Sequence, residues 1–122
     1  MNGTYKDILV VDDDLVLSEI IADVLETEGH TARIAFNGRE ALERIRERRP
    51  QLILLDLMMP VMNGWEFADE LGSKPEWANI PIIVVTAAHD WHNKQQEINA
   101  KAVIHKPFDI DKLIEMVQAY AS

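Results

Sequence analysis

Three short, unbroken runs of apolar residues constrain the fold of this chain more than any other feature of its sequence. They are ILVV at 8–11, LILL at 52–55 and IPIIVV at 80–85. A strand that is buried on one face alternates apolar and polar residues, whereas these runs do not alternate. They predict strands that are covered by helices on both faces, as in the parallel sheet of an α/β domain.

The segments between these runs carry the periodicity of amphipathic helices. The first helix is predicted from an apolar stripe that follows the first run. A charged helix is predicted over 38–49, a short helix over 63–71 and a weakly helical polar segment over 90–100. A last helix is predicted after its cap, Asp109. The first stripe consists of Leu17, Ile20, Ile21, Val24 and Leu25. Two further strands are predicted over 30–36 and 102–105. The order is a strand and a helix repeated five times, and residues 1–122 are expected to form one domain.

Composition excludes several classes of protein. The chain has 122 residues and no cysteine, which excludes disulfides, thiolate catalysis and cysteine-based zinc sites. Its formal net charge of −9 disfavours direct contact with nucleic acid or an anionic membrane. No apolar run has the roughly 18 residues of a membrane helix, and the first residues do not resemble a secretory signal. We therefore expect a cytoplasmic location.

Polar side chains follow four of the predicted strands, at the point where each strand ends. They are Asp12, Asp13, Asp56, Thr86 and Lys106. Because the carboxyl ends of parallel strands meet at one edge of a sheet, we expect these side chains to lie close together. Carboxylates 4 Å apart repel each other by about 4 kcal/mol per pair at an effective dielectric constant near 20. The repulsion calls for positive charge at this edge.

The ammonium group of Lys106 supplies one positive charge. A hard divalent cation with oxygen ligands, such as Mg²⁺, supplies the rest. A cation, a hydroxyl and an ammonium group around a carboxylate are the groups that phosphoryl transfer requires. A carboxylate can itself act as the nucleophile and form an aspartyl phosphate. The residue types therefore favour phosphoryl chemistry at this edge.

Four motifs make the sequence resemble the receiver domain of two-component response regulators, the CheY-like receivers. The motifs are ILVVDDD at 8–14, LDLMMP at 55–60 with NG at 63–64, VVTA at 84–87, and KPF at 106–108. They occur in the family's order and spacing over nearly the whole chain. The resemblance implies a doubly wound (βα)5 flavodoxin-like sandwich, with a five-stranded parallel sheet of strand order 2-1-3-4-5. It also implies a cis peptide bond between Lys106 and Pro107.

The resemblance also implies a role for each site residue. Asp56 is the expected phosphoacceptor, and it receives the phosphoryl group from a phosphohistidine. Asp12, Asp13 and Asp56, with the backbone carbonyl of Met58, are expected to hold Mg²⁺. Thr86 and Lys106 are expected to contact phosphoryl oxygens. The domain would catalyse only its own phosphorylation and dephosphorylation, as a signalling switch and not an enzyme.

The partners that the resemblance implies are proteins. The phosphoryl donor is a sensor histidine kinase or a histidine phosphotransfer protein. A downstream protein target would bind the face formed by the predicted helix over 90–100, the last strand and the last helix, where Trp91 is a candidate contact. This domain is not expected to bind nucleic acid or membrane by itself.

The sequence departs from the family pattern at two positions. Val103 lies three residues before Lys106, where the family commonly has an aromatic switch residue. Asn63 replaces a more common aspartate, and we expect it to cap the following helix equally well.

Asp14 is expected to cap the first helix and not to bind metal. His89 and His92 lack further ligands at a zinc-like spacing, so a surface role is expected for both.

Two other functions are alternatives to the switch. A receiver that has kept its fold and lost its switch would be a phosphorylation-independent docking module, and Val103 favours that alternative. A phosphatase of the haloacid dehalogenase type also uses an aspartyl nucleophile, but it requires a second aspartate two residues later. That position is Met58, which cannot transfer a proton, so the phosphatase is disfavoured.

Overall fold

The computed structural model describes residues 6–87 and 98–120, and it contains a five-stranded parallel sheet. The strand order is β2-β1-β3-β4-β5, which confirms the predicted doubly wound, flavodoxin-like α/β fold. The strands are β1 (Asp7–Val11), β2 (Thr31–Ala35), β3 (Leu52–Leu55), β4 (Ile82–Thr86) and β5 (Ala102–His105).

Four helices are described, α1 (Leu15–Thr27), α2 (Gly38–Glu47), α3 (Gly64–Gly72) and α4 (Ile110–Tyr120). The predicted helix over 90–100, with its candidate contact Trp91, lies mostly outside the described residues. Residues 98–100, which are described, are not helical. No helix within 6–87 or 98–120 has the length and apolar character needed to cross a bilayer.

Proline explains two of the element boundaries that differ from the prediction. The strand expected over 80–85 begins at Ile82, because Pro81 has no N–H to donate to the sheet. The helix expected over 38–49 ends at Glu47, and Arg48 is already extended with φ −161° and ψ 126°. Pro50 disfavours helical backbone at the residue before it, so the helix ends early.

Both faces of the sheet are buried, as the unbroken apolar runs predicted. Leu9 and Val11 of β1 point into a core with α2 and α3, whereas Ile8 and Val10 point into a second core with α1 and α4. The apolar stripe of α1 is rotated from the prediction, since Ile20 is 47% exposed. The buried residues of this helix are Ser18, Ile21, Ala22 and Leu25.

The helix ends follow the local sequence. The Asp14 side chain accepts the backbone N–H of Leu17, which confirms it as the N-cap of α1. Gly29, just past the end of α1, has a φ of +95°, a conformation that favours glycine. Asn63 caps α3 and forms a capping box with Glu66, as expected for this position.

A polar cluster at the amino-terminal edge of the sheet joins β1, β2 and the end of α2. The Arg33 guanidinium lies 3.3 Å from both carboxylate oxygens of Asp7. It also donates to the backbone carbonyls of Arg44 at 2.9 Å and Arg48 at 2.7 Å. The Arg44 carbonyl also accepts the backbone N–H of Arg48 at 3.1 Å, so Arg33 adds a second donor at the end of α2 and links this end of the helix to the sheet.

His30 gives the fold a predicted pH dependence. It is 7% exposed, and burial lowers its pKa, although Glu28 opposes this shift. Because the unfolded histidine has the higher pKa, the unfolded state binds more protons below about pH 6.5, and stability falls as the pH falls. We expect His30→Gln, which cannot titrate, to lose less stability between pH 7.5 and pH 5 in urea denaturation. Parallel pH profiles for both proteins would contradict this.

Candidate functional site

The carboxylates predicted to converge do so at the carboxyl edge of the sheet. Asp12 follows β1 and Asp56 follows β3, and the Asp56 N–H donates to the Val11 carbonyl at 2.9 Å. Carboxylate oxygens of Asp12, Asp13 and Asp56 lie within 4.8 Å of one another. Asp12 and Asp56 are buried, with 3% and 6% exposure, whereas Asp13 is exposed. The cluster is thus open on the side of Asp13.

Lys106 brings a positive charge into this cluster from the far end of the chain. Its Nζ lies 2.7 Å from Asp12 Oδ2 and 3.5 Å from Asp56 Oδ2. Its backbone N–H donates to the Thr86 carbonyl at 2.9 Å, which continues the pairing of β4 with β5. The peptide bond between Lys106 and Pro107 is cis, as the resemblance implied.

Burial and charge act in opposite directions on the pKa values of this pair. Burial raises the pKa of Asp12 above its usual range, and the hydrogen bond from Lys106 only partly offsets the effect. For Lys106, burial lowers the pKa, but the hydrogen bond and charge of Asp12, with the charge of Asp56, outweigh it and the pKa is raised. Lys106 is therefore held protonated beside the two carboxylates.

Thr86 and Met58 lie at the same edge of the sheet. Thr86 is the last residue of β4, is fully buried, and pairs with His105 of β5. The Met58 backbone N–H points back to Asp56 Oδ1 at 3.4 Å. The Met58 side chain is 61% exposed, so its contribution to the site comes from the backbone.

The donor set fits a hard divalent cation. Three carboxylates within 4.8 Å offer oxygen ligands only. Mg²⁺ prefers such oxygen ligands and keeps several waters, which the exposed side at Asp13 can accommodate. Lys106 pairs with Asp12 and Asp56 only, so the cluster of three carboxylates keeps an excess negative charge that a further cation can neutralise.

The turn after Asp56 approaches the site closely and depends on glycine. A Cβ on Gly64 would lie 2.5 Å from the Asp56 carbonyl oxygen and 2.7 Å from the Leu57 Cα. The Gly64 N–H donates to the Leu57 carbonyl at 3.0 Å. Sequence analysis gave Gly64 no role beyond its place in the motif, although a glycine at the first position of a helix is a signal of close backbone approach.

Val61 holds this turn in a strained conformation. Its φ is +68°, and the Met62 N–H donates to the Pro60 carbonyl at 2.7 Å, the hydrogen bond of a γ-turn. A β-branched residue is disfavoured at positive φ. Its side chain is 73% exposed and so loses little by replacement.

We expect Val61→Asn to raise the free energy of unfolding by about 1 kcal/mol, because asparagine tolerates a positive φ better than a β-branched residue does. Urea denaturation measures the change. Val16→Asn is the matched control, since Val16 is 67% exposed but lies in α1, where this substitution gives no gain. A lower stability for Val61→Asn would show that the turn is not strained at this residue.

The position usually occupied by an aromatic residue in this family contributes to the core. Val103 is partly buried and packs against the core between the sheet and helices α2 and α3. It pairs with Val84 in the sheet. His89 and His92, for which a surface role was expected, lie outside the described residues.

An apolar groove beside Lys106 was missed by the sequence analysis. It is lined by Leu17 and Ile20 of α1 and by Pro107, Phe108 and Ile110 after β5. Leu15 and Val16 directly precede Leu17 at the start of α1, and they are 51% and 67% exposed. The sequence does indicate an exposed apolar surface here, because α1 carries more apolar residues than one buried stripe needs.

Comparison with known protein families identifies the family to which this fold and site belong. The sequence profile of the response regulator receiver domain matches residues 8–118. The chain belongs to the response regulator receiver domain family. Its four motifs and its site residues lie within the matched range, so the receiver domain is the unit that carries the acidic cluster.

Two relatives illustrate how the receiver domain occurs. The chain is 40% identical over 121 residues to the DNA-binding response regulator MtrA of Mycobacterium tuberculosis, covering 98% of this chain and 52% of MtrA. It is 32% identical over 117 residues to the polar-differentiation response regulator DivK of Brucella anthropi, covering 94% of this chain and 95% of DivK. The chain therefore spans about half of MtrA and nearly all of DivK.

Solved structures agree with the fold of the receiver domain. The chemotaxis response regulator CheY4 of Vibrio cholerae superimposes with a TM-score of 0.87 at 28% identity, over 96% of this chain and 99% of CheY4. The receiver domain of a signal transduction histidine kinase from Syntrophus aciditrophicus has a TM-score of 0.88 at 30% identity, over 95% of this chain and 89% of that one.

Proposed function

We propose that this receiver domain accepts a phosphoryl group from a phosphohistidine onto Asp56 in a two-component or phosphorelay system. The observation that carries the proposal is the contact of Lys106 Nζ with Asp12 and Asp56 inside a cluster of three carboxylates. In this proposal one carboxylate of the cluster reacts, and the others hold the cation that neutralises the negative charge of the phosphoryl group. Asp56 is the residue to which the family resemblance assigns this role, and its oxygens make long contacts that an incoming group can replace, at 3.4 Å to the Met58 N–H and 3.5 Å to Lys106 Nζ.

In the proposed step, a carboxylate oxygen of Asp56 attacks phosphorus and the bond between phosphorus and the imidazole nitrogen breaks. The electron pair of that bond stays with the departing histidine. Asp12, Asp13, Asp56 and the Met58 carbonyl would hold Mg²⁺, and the bound cation would neutralise negative charge during the transfer. Hydrolysis of the resulting acyl phosphate returns Asp56 and inorganic phosphate.

The residues of this chain prepare Asp56 for the reaction. Burial by β1 and β3 excludes water and strengthens each electrostatic contact in the site. The Lys106 ammonium lies 3.5 Å from Asp56 and can exchange that contact for a phosphoryl oxygen. Thr86, at the end of β4, is proposed to donate its hydroxyl to another phosphoryl oxygen.

The phosphoryl donor is proposed to be a sensor histidine kinase or a histidine phosphotransfer protein. The apolar groove beside Lys106 supports a protein donor, since a small phosphate donor needs no apolar contact of this size. The formal charge of −9 supports protein partners over nucleic acid. A cytoplasmic location and a downstream target on the side of β5 and α4 are part of the same proposal.

Intact-protein mass spectrometry after incubation with acetyl phosphate and Mg²⁺ tests the proposal. We expect one phosphoryl adduct on the wild type, none on Asp56→Asn, and none after the metal is chelated. Asp69→Asn, which removes an exposed carboxylate on α3, is the matched control and retains the adduct. A histidine kinase as donor must give the same pattern.

The second candidate, a phosphorylation-independent docking module, is favoured only by Val103. The same experiment separates the two functions. An unmodified wild type, with acetyl phosphate and with a kinase, would refute the phosphoacceptor and leave the docking module. An adduct that persists in Asp56→Asn would instead show that another carboxylate is the nucleophile.

A further inference from the structure

The hydroxyl of Ser18 is buried on the face of α1 that packs against the sheet. Ser18 is 0% exposed, and the other buried residues of this helix are apolar. Its Oγ donates a hydrogen bond to the backbone carbonyl of Asp12 at 3.1 Å. Ser18 thus makes one specific polar contact within an otherwise apolar layer, and that contact reaches the acidic cluster.

The Ser18 hydroxyl does not make the hydrogen bond that a serine usually makes within its own helix. A serine inside a helix usually points to solvent or donates to the carbonyl four residues before it. For Ser18 that carbonyl belongs to Asp14, and it accepts the backbone N–H of Ser18 at 2.9 Å. Alanine has a higher helix propensity and no polar group to satisfy. The contribution of this hydroxyl therefore lies at Asp12, outside the helix.

Ser18 completes a set of contacts that fixes Asp12 on all sides. The backbone N–H of Asp12 donates to the Ala35 carbonyl at 3.0 Å. Its Oδ1 accepts from the Asp14 N–H at 2.9 Å, and its Oδ2 accepts from Lys106 Nζ at 2.7 Å. The remaining polar group is the backbone carbonyl, which Ser18 holds.

The direction of this carbonyl also sets the position of Asp13. The carbonyl belongs to the planar peptide unit that joins Asp12 to Asp13, so fixing it fixes where the Asp13 side chain leaves the turn. Asp13 is exposed, and its carboxylate lies near those of Asp12 and Asp56, from which it is repelled. Without the hydroxyl, the carbonyl loses its partner and the peptide unit can rotate to relieve the repulsion.

We propose that Ser18 is a positioning residue for the divalent cation, because its hydroxyl fixes the peptide unit that holds the Asp13 carboxylate in the acidic cluster. This inference rests on the function proposed above, in which these carboxylates bind Mg²⁺. It adds a residue of α1 that touches neither the metal nor the phosphoryl group and acts only through Asp12.

Isothermal titration with MgCl₂ tests this role on the full chain without any phosphoryl donor. We expect Ser18→Ala to weaken Mg²⁺ binding roughly tenfold, the usual effect of losing a group that orients a metal ligand. Ser18→Thr keeps the hydroxyl and is expected to restore binding towards the wild-type affinity. Ile21→Val is the matched control, since it removes a methylene from the same buried face of α1 and changes no polar group.

The outcomes separate this role from the proposed function. Wild-type affinity in Ser18→Ala would overturn the role of Ser18 and leave Mg²⁺ binding intact. An equal loss in Ile21→Val would also overturn it, since the loss would then follow from weaker packing. A wild type that binds no Mg²⁺ would refute the proposed function itself.

Discussion

Replacing Lys106 with methionine is expected to lower the free energy of unfolding by about 3 kcal/mol at pH 7 without divalent cations. The substitution leaves Asp12 and Asp56 buried together without the ammonium group that now lies 2.7 Å and 3.5 Å from them. Methionine keeps most of the length and apolar surface of lysine, so the loss reports on charge. Urea denaturation in EDTA measures it.

The pH dependence of this loss has a defined sign. The pKa of Lys106 is raised in the folded state, so its stabilising contribution is complete below the pKa of an unfolded lysine and disappears only at higher pH. In the variant, burial still raises the pKa of Asp12 and the offsetting hydrogen bond from Lys106 is gone, so Asp12 binds a proton more readily when folded than when unfolded. The difference between the wild type and Lys106→Met should therefore grow from pH 4 to pH 7.

Urea denaturation can also be repeated with Mg²⁺ in place of EDTA. The cation replaces the missing positive charge, so it should stabilise Lys106→Met more than it stabilises the wild type. Lys112→Met, at an exposed position on α4, is the control and should change stability by less than about 0.5 kcal/mol. A Lys106→Met protein as stable as this control at pH 7 would show that the ammonium group does not offset the repulsion.

Gly64→Ala is expected to cost about 3 kcal/mol, the upper part of the range for overpacking, because the added Cβ meets backbone atoms. The Asp56 carbonyl oxygen would be 2.5 Å away and the Leu57 Cα 2.7 Å away. Neither atom can move without displacing the backbone of the residue that carries the proposed nucleophile. The variant should therefore lose both stability and the rate of adduct formation with acetyl phosphate.

Gly72→Ala is the matched control for this substitution. Gly72 lies at the other end of α3, and an added Cβ meets no atom within 4 Å. Alanine there should raise stability by about 0.5 kcal/mol, since it reduces the entropy of the unfolded chain. If the two variants have the same stability, the turn after Asp56 has room that the structure does not show.

The sequence was sufficient to predict the sheet because its strands are buried on both faces. Runs such as residues 52–55 have no polar position and fit only the interior of a parallel sheet. The gathering of Asp12, Asp56 and Lys106 follows from the same topology, because parallel strands end at one edge. The assignment of individual roles came from the family resemblance and stays a proposal.

Contacts between side chains and distant backbone could not be predicted in this way. Arg33 interrupts the apolar pattern of β2, and only the folded chain brings it to the carbonyls of Arg44 and Arg48. Ser18 lies at the buried spacing from Ile21 and Leu25, so its burial was accessible to periodicity analysis. Its acceptor was not, because the carbonyl belongs to a turn whose geometry depends on the whole site.

The contact between Lys106 and Asp12 joins residues that are 94 positions apart. A ribosome-bound chain that has not yet released β5 therefore lacks the ammonium group, while its carboxylates already repel one another. Competence to receive a phosphoryl group, in the function proposed here, would then report that synthesis has passed Lys106.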